Sequence, residues 1–314
     1  MHIVTGGAGF IGSNLVRHLV ARGHDDVVVV DDLTNGHKFV NIADCPIADY
    51  LDKDDFMERV ERGQFNTGVK AIFHQGACSE TTEWDGRYMM SNNYTYSTAL
   101  LHHSLEAGVP LIYASSAAVY GGASAFSEQP DNEKPLNVYG YSKLQFDRYV
   151  RRVAASPHSQ VVGLRYFNVY GPREQHKGSM ASVAWHFRNQ IAETGEARLF
   201  SGSGGYGDGE QLRDFVYVDD VCALNLWFLD HPDVSGIYNA GTGSAQTFND
   251  VARAVIHCMG RGSVCYVPFP AHLEGAYQSY TQADLSRLRE TGCELVFRDV
   301  GAGVSHYFAA LDAD

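Results

Sequence analysis

The apolar positions of this chain alternate between short unbroken runs and longer stretches of helical spacing. His2 to Thr5 forms the first run and leads into a glycine-rich turn. Ile11, Leu15 and Leu19, with Val16 and Val20, then recur at the three-to-four-residue spacing of one helix face. Gly23 ends that helix, and Val27 to Val30 forms a second run closing on Asp31 and Asp32. Strand, turn, helix and strand make one βαβ unit. The rhythm continues with strands at Ala71 to His74, Leu111 to Ala114 and Val161 to Tyr166, and helices at Tyr88 to Ala107 and Tyr139 to Ala154. Runs apolar throughout belong to strands buried on both faces. The pattern therefore predicts an α/β fold, a doubly wound parallel Rossmann sheet with helices on both sides.

After Pro172 the rhythm breaks. Residues 172–182 and 201–213 are polar and rich in Gly and Ser, and they flank a predicted helix from Ala181 to Ala192. Further elements are predicted at Phe215 to Val218, Gly236 to Ala240, Phe248 to Met259 and Val264 to Pro268. The expected division is a dinucleotide-binding Rossmann domain over 1–167, rejoined by segments at about 214–245. A smaller, interleaved C-terminal substrate-binding domain takes 168–213 and 246–314. No internal repeat or low-complexity tract is present.

Composition changes this picture little. A net charge of −13 argues against a nucleic-acid surface, which needs a basic stripe. The six cysteines form no CxxC pair and no His-Glu-x-x-His run is present, so no metal centre is expected. Scattered single thiols suit a reducing compartment. Without a signal-peptide pattern or an apolar run near the ~20 residues of a membrane span, the expectation is a soluble cytoplasmic protein with no membrane partner.

Candidate chemistry begins at Gly6-x-x-Gly9-x-x-Gly12, which sits between the first strand and the first helix. Glycines there permit a tight turn and close backbone approach to a pyrophosphate, and the helix N-terminus supplies free N–H groups. Asp31, 19 residues after Gly12, ends the second strand, where an acid accepts hydrogen bonds from an adenosine ribose. That position favours NAD. Lys38 and Lys53 are able to neutralise the 2′-phosphate of NADP, or stand as solvated surface lysines, so the residues leave NAD and NADP both open.

Tyr139 and Lys143 share a helix face at i, i+4. A free tyrosine, with pKa ~10, is a poor base at neutral pH, and a nearby ammonium favours its phenolate. Ser116 closes the fourth strand at the carboxyl edge of the sheet, within reach of a reacting hydroxyl or carbonyl. Its plain alternative is a loop-capping serine.

These residues carry a resemblance. The glycine pattern, Ser116-Ala117-Ala118-Val119-Tyr120-Gly121 and Tyr139-x-x-x-Lys143 match the extended short-chain dehydrogenase/reductase superfamily. Within it the chain resembles the ADP-L-glycero-D-manno-heptose 6-epimerase family over nearly its whole length. The matching stretches are Gly76-Ala77-Cys78-Ser79, Thr81-Thr82-Glu83-Trp84-Asp85-Gly86, Tyr166 to Arg173, and His176-Lys177-Gly178-Ser179-Met180-Ala181-Ser182. The last stretch separates this family from UDP-hexose 4-epimerases, which fit the Ser116, Tyr139 and Lys143 trio equally well. A 4,6-dehydratase needs an acid pair where Ala117 and Ala118 stand. A non-catalytic dinucleotide sensor tends to lose the Tyr–Lys pair that this chain keeps.

The resemblance implies interconversion of ADP-D-glycero- and ADP-L-glycero-β-D-manno-heptose, precursors of the lipopolysaccharide inner core. C6 is oxidised with bound NADP and reduced on its other face by the same hydride. It implies Tyr139 and Lys177 as the two acid/base residues, although the residues alone leave Lys177 a loop lysine facing a phosphate. It implies cofactor contacts by Phe10, Ile11, Asp31, Asp32, Lys38, Lys53, Gln75, Gly76, Ala77, Cys78, Ser79, Asn92, Lys143, Val169 and Lys177. Substrate contacts fall on Asn168, Ser179, His186, Phe200, Ser201, Gly202, Ser203, Arg213 and Tyr277, and the implied assembly is a homopentamer. Arg213 suits a diphosphate through its bidentate fork, or pairs structurally with Asp214 or Asp219. Three departures stand out. Gln75 replaces a frequent glutamate, the extra acid at Asp32 would repel a 2′-phosphate, and the Gly202–Gln211 loop is longer than usual.

Overall fold

The computed structural model describes residues 1–154, 159–270 and 278–313. In chain order β1 (His2–Thr5), α1 (Phe10–Ala21), β2 (Val27–Asp31), β3 (Asp49–Asp52), α2 (Lys53–Glu61) and β4 (Ala71–His74) come first. Then follow α3 (Gly86–Met90), a π turn at Ser91–Thr95, α4 (Tyr96–Ala107), β5 (Leu111–Ser116), α5 (Val138–Val153) and β6 (Val161–Tyr166). The remaining chain gives β7 (Asn168–Tyr170), α6 (Val183–Thr194), β8 (Glu196–Phe200), β9 (Leu212–Arg213), β10 (Phe215–Tyr217) and α7 (Val218–Asp230). It ends with β11 (Gly236–Ala240), β12 (Gln246–Thr247), α8 (Phe248–Met259), β13 (Ser263–Val267), α9 (Ser286–Glu290) and α10 (Val300–Ala313).

Seven parallel strands form the main sheet in the order β11-β6-β5-β4-β1-β2-β3. The order reverses at β1, so a crevice opens beyond the carboxyl ends of β1 and β4. Alternate residues feed two cores. Val27 and Val29 join Val4, Phe73 and Ile112 on one face, whereas Val28 and Val30 join Ile3, Ile72 and Leu111 on the other. This two-sided burial is why the strands read as unbroken apolar runs.

Two expectations change. The late segment at 215–217 does not return to the main sheet; β10 pairs in parallel with β7 as a separate ribbon, and only β11 rejoins. The helix expected from Tyr88 to Ala107 starts instead at Gly86 and carries a π turn at Ser91–Thr95 between α3 and α4. Among the described residues, no helix is long and apolar enough to cross a membrane.

Candidate active site

The glycine turn is shaped by close approach. Gly6 takes φ +65°, and a Cβ there would meet the Gly76 nitrogen at 2.6 Å, so the turn and the loop after β4 lie against each other. A Cβ on Gly12 would strike the Gly6 carbonyl oxygen. Gly9 caps α1 without a side-chain hydrogen bond, which leaves the first N–H groups of the helix aimed into the crevice. This is a cradle that any side chain would fill, and it fits a dinucleotide pyrophosphate.

Asp31, at the end of β2, ties the glycine turn to its neighbours. Its Oδ2 accepts from Ala8 N–H at 2.8 Å, and its Oδ1 accepts from Asp32 N–H at 2.7 Å and from Lys38 Nζ at 2.6 Å. Lys38 is therefore held against the carboxylate that ends β2. Hydrogen bonds from Thr34 hold the Asp32 carboxyl below its usual range, keeping a negative charge nearby. Lys53 pairs with Asp54 at 2.7 Å, and that bond raises its pKa.

The loop after β4 is fixed from three sides. Gln75 accepts from Tyr166 Oη at 2.9 Å and donates to Asn225 Oδ1 at 3.2 Å, a pairing that an ionised glutamate, which only accepts, could not make. Asn93, in the π turn, clamps Cys78: its Oδ1 accepts from Cys78 N–H at 2.8 Å and its Nδ2 donates to Cys78 C=O at 2.9 Å. The same amide lies 3.1 Å from Ser142 Oγ on α5. Ser79 is exposed on this loop, and Asn92, half-buried beside the clamp, donates to the Tyr88 carbonyl at 2.9 Å.

Helix α5 lays successive turns on successive residues of β5. Asn137 caps it by accepting from Gly140 N–H at 2.8 Å. Tyr139 meets Ser116 in a side-chain hydrogen bond, and burial pushes its phenol above the usual tyrosine range. Lys143 Nζ donates to Ala114 O at 2.8 Å, and burial lowers its pKa to about 8 against an opposing pull from Asp147. One turn on, Asp147 accepts from Ser115 Oγ at 3.0 Å, Tyr113 Oη at 3.0 Å and Arg165 Nε at 2.9 Å. Gly140 permits this docking, since a Cβ there would stand 2.6 Å from the Ala118 carbonyl oxygen.

Lys177 arrives from the other side of the cradle. A strap from Pro172 to Lys177 crosses the start of α1: Asn14 Nδ2 donates to Pro172 O at 2.9 Å, and Asn41 donates to Ala8 O at 2.9 Å while its Nδ2 lies 3.1 Å from His176 Nδ1. Arg173 sits in the left-handed region at φ 71°, held by Asn41 O and the Asp44 carboxylate. Lys177 Nζ lies 5.4 Å from the centroid of the Phe10 ring, and burial lowers its pKa while Glu174 pulls the other way. Among the described residues, no hydrogen bond or ion pair joins Lys177 to Tyr139 or Lys143.

The expected substrate residues spread over a neighbouring wall. Asn168 is exposed and opens β7 with its N–H on Asp214 O at 3.0 Å, and Val169 is half-buried beside it. His186 Nε2 lies 3.3 Å from the Ser179 carbonyl oxygen. Phe200 ends β8, Gly202 N–H donates to Asp208 at 2.8 Å, Ser201 Oγ accepts from Phe269 N–H at 3.2 Å, and Ser203 Oγ accepts from Gln211 at 3.1 Å. The Gly202–Gln211 loop is thus closed by its own polar groups. Arg213 donates to Leu212 O at 2.9 Å with its guanidinium over Phe248, and Asp214 accepts from Thr242, Gly243 and Ala283. Tyr277 lies outside the described residues. A separate open cleft of about 680 Å³, lined by Phe126, Tyr280 and Arg289 among others, holds none of the expected residues.

A doubly wound sheet, a glycine turn at its switch point and a Ser–Tyr–Lys set beside it define a dinucleotide-dependent enzyme of the short-chain dehydrogenase/reductase class. Residues 2–241 match the NAD dependent epimerase/dehydratase family. The ADP-L-glycero-D-manno-heptose-6-epimerase of Alkalilimnicola ehrlichii is 63% identical over 311 residues, 99% of this chain and 97% of that protein. Among solved structures, the corresponding Helicobacter pylori epimerase superposes with a TM-score of 0.85 at 32% identity, covering 100% of this chain and 96% of that one. The Thermus thermophilus UDP-glucose 4-epimerase, solved with NAD, gives 0.80 at 30% identity and 99% of each chain. The chain belongs to the NAD-dependent epimerase/dehydratase family, in its ADP-L-glycero-D-manno-heptose-6-epimerase branch.

Proposed function

We propose that this protein interconverts ADP-D-glycero- and ADP-L-glycero-β-D-manno-heptose by transient oxidation at C6. The observation that carries the reading is the docking of Tyr139 and Lys143 on the end of β5, beside a glycine turn with no room for a side chain. The 63% identical heptose epimerase supports the substrate class.

NADP is the proposed cofactor, with NAD as the alternative. Phe10, Ile11 and the glycines would hold its pyrophosphate, Asp31 and Lys38 its adenosine ribose, and the Gln75–Ser79 loop and Lys143 its nicotinamide end. When bound, the cofactor supplies a hydride acceptor that later returns the hydride. Tyr139 then removes or restores the hydroxyl proton on one face of C6, with Ser116 fixing the oxygen. The Lys143 ammonium stabilises the phenolate so formed. Lys177, whose burial brings proton release closer to neutrality, serves the opposite face.

Asn168, Ser179, His186, Arg213 and the Phe200–Ser203 edge would line the ADP-heptose site. We place the cofactor on residues 1–167 with 214–245 and the substrate on 168–213 with 246–314. A homopentamer in the cytoplasm completes the reading, resting on the family resemblance. The deciding experiment incubates purified protein with the D-glycero substrate. NMR should show inversion at C6 without net cofactor reduction, and unchanged substrate at long times would overturn the assignment.

A further inference from the structure

The edge of the main sheet opposite the glycine turn brings three metal-binding side chains together. His2 opens β1, and His24 and Asp26 lie in the short connection from α1 into β2. Backbone pairing fixes their meeting, because His2 N–H donates to Asp26 O at 3.0 Å. The His2 side chain is only 2% exposed, and its ring lies 4.3 Å from that of His24, centroid to centroid, tilted by 55°.

His2 Nδ1 stands 3.4 Å from Asp26 Oδ1, and neither buried atom has a hydrogen-bond partner. That distance is long for a hydrogen bond. It matches the separation of about 3.4 Å between two ligands that each lie ~2.0–2.1 Å from a tetrahedral metal. One donor atom from each of His2, His24 and Asp26 falls within 4.8 Å of the others. The carboxylate divides its work: Oδ2 faces the Met1 amino group at 3.1 Å and Lys70 Nζ at 3.3 Å, leaving Oδ1 turned to the imidazoles.

We propose that His2, His24 and Asp26 bind one zinc-class divalent cation, with water in the fourth position. Two imidazoles and a carboxylate form a donor set for Zn²⁺, and Co²⁺, Ni²⁺ and Cu²⁺ share it. Met1 and Lys70 place positive charge behind Asp26, which weakens its hold on a cation. No residue of a known zinc motif announces this site in the sequence; the fold assembles it from both ends of one βαβ unit. It lies at the far edge of the sheet from Tyr139, so the cation acts on stability and leaves the chemistry untouched.

The test is calorimetric titration of the metal-free full chain with Zn²⁺. One equivalent per chain with micromolar affinity is expected, together with a rise in Tm that grows with free zinc. Co²⁺ should give the visible bands of a tetrahedral ion. His24→Ala, at the half-buried rim, and Asp26→Asn should each weaken binding at least tenfold. Circular dichroism on both variants establishes that they fold. Absence of binding at millimolar zinc, or binding unchanged by both substitutions, would overturn the proposal.

Discussion

Lys143 Nζ donates a 2.8 Å hydrogen bond to the carbonyl oxygen of Ala114, which fixes the ammonium against the last residues of β5. Its burial lowers the pKa to about 8, so the charged form dominates below that pH and is lost above it. A reaction that needs the ammonium to stabilise the Tyr139 phenolate therefore loses rate as pH rises through about 8. The kcat profile of the wild type should show this alkaline limb, and a profile still flat near pH ~10 would remove Lys143 from that role.

Tyr139→Phe and Lys177→Met should each slow epimerisation by about 10²–10⁴-fold, the usual worth of a general acid or base. Tm and cofactor affinity should stay near wild type, because each change removes only a terminal polar group. The double variant should be close to inert. Epimerisation by the double variant at wild-type speed would mean that other groups exchange the protons.

Under the proposed function, Lys38, held 2.6 Å from Asp31, would separate NADP from NAD. Lys38→Ala should weaken NADP by roughly 10–100-fold, the worth of one charge-assisted hydrogen bond, and change NAD little. Asp32→Asn should shift preference further toward NADP by removing a carboxylate that stays ionised. Fluorescence titration with both cofactors measures each effect; equal losses for NAD and NADP in Lys38→Ala would place that lysine away from the 2′ group.

Gly140→Ala should destabilise the fold by about 1–3 kcal/mol, since the added methyl meets the Ala118 carbonyl oxygen and must push α5 off β5. Activity should fall more than stability alone explains, because Tyr139 and Lys143 move with the helix. Thermal unfolding beside kcat measurement separates the two losses.

Sedimentation at micromolar concentration should give a pentamer. A monomer there would remove the assembly drawn from the resemblance while leaving the site intact.

Where the sequence was legible, a periodicity or spacing carried the signal. Val27 to Val30 shows its strand because both faces are buried, and Tyr139 with Lys143 shows a shared helix face. Strand β3 was missed because Asp-Tyr-Leu-Asp lies at the sheet edge with only Leu51 fully buried. Strand β7 is three residues long, too short for alternation to register, whereas β10 was legible at Phe215 to Val218 but its partner, β7, was not. Asn93 and Asp147 were also missed as parts of the site. Their roles consist of contacts between distant elements, Asn93 with Cys78 and Ser142, Asp147 with Ser115 and Arg165. A poor helix former inside a helical stretch was the one cue to Asn93.

The strap from Pro172 to Lys177 has a consequence for cell physiology. It lies across the turn that would grip the pyrophosphate, secured through Asn14, Asn41 and a left-handed Arg173. Under the proposed function, a dinucleotide seated beneath that strap would leave only when those bonds open together, slowly against turnover. The borrowed hydride would then be repaid to the same sugar before any exchange with the free pool. Under the proposed function, flux through this enzyme becomes indifferent to the ratio of oxidised to reduced nicotinamide around it, and carbon can move through the step in starvation and plenty alike.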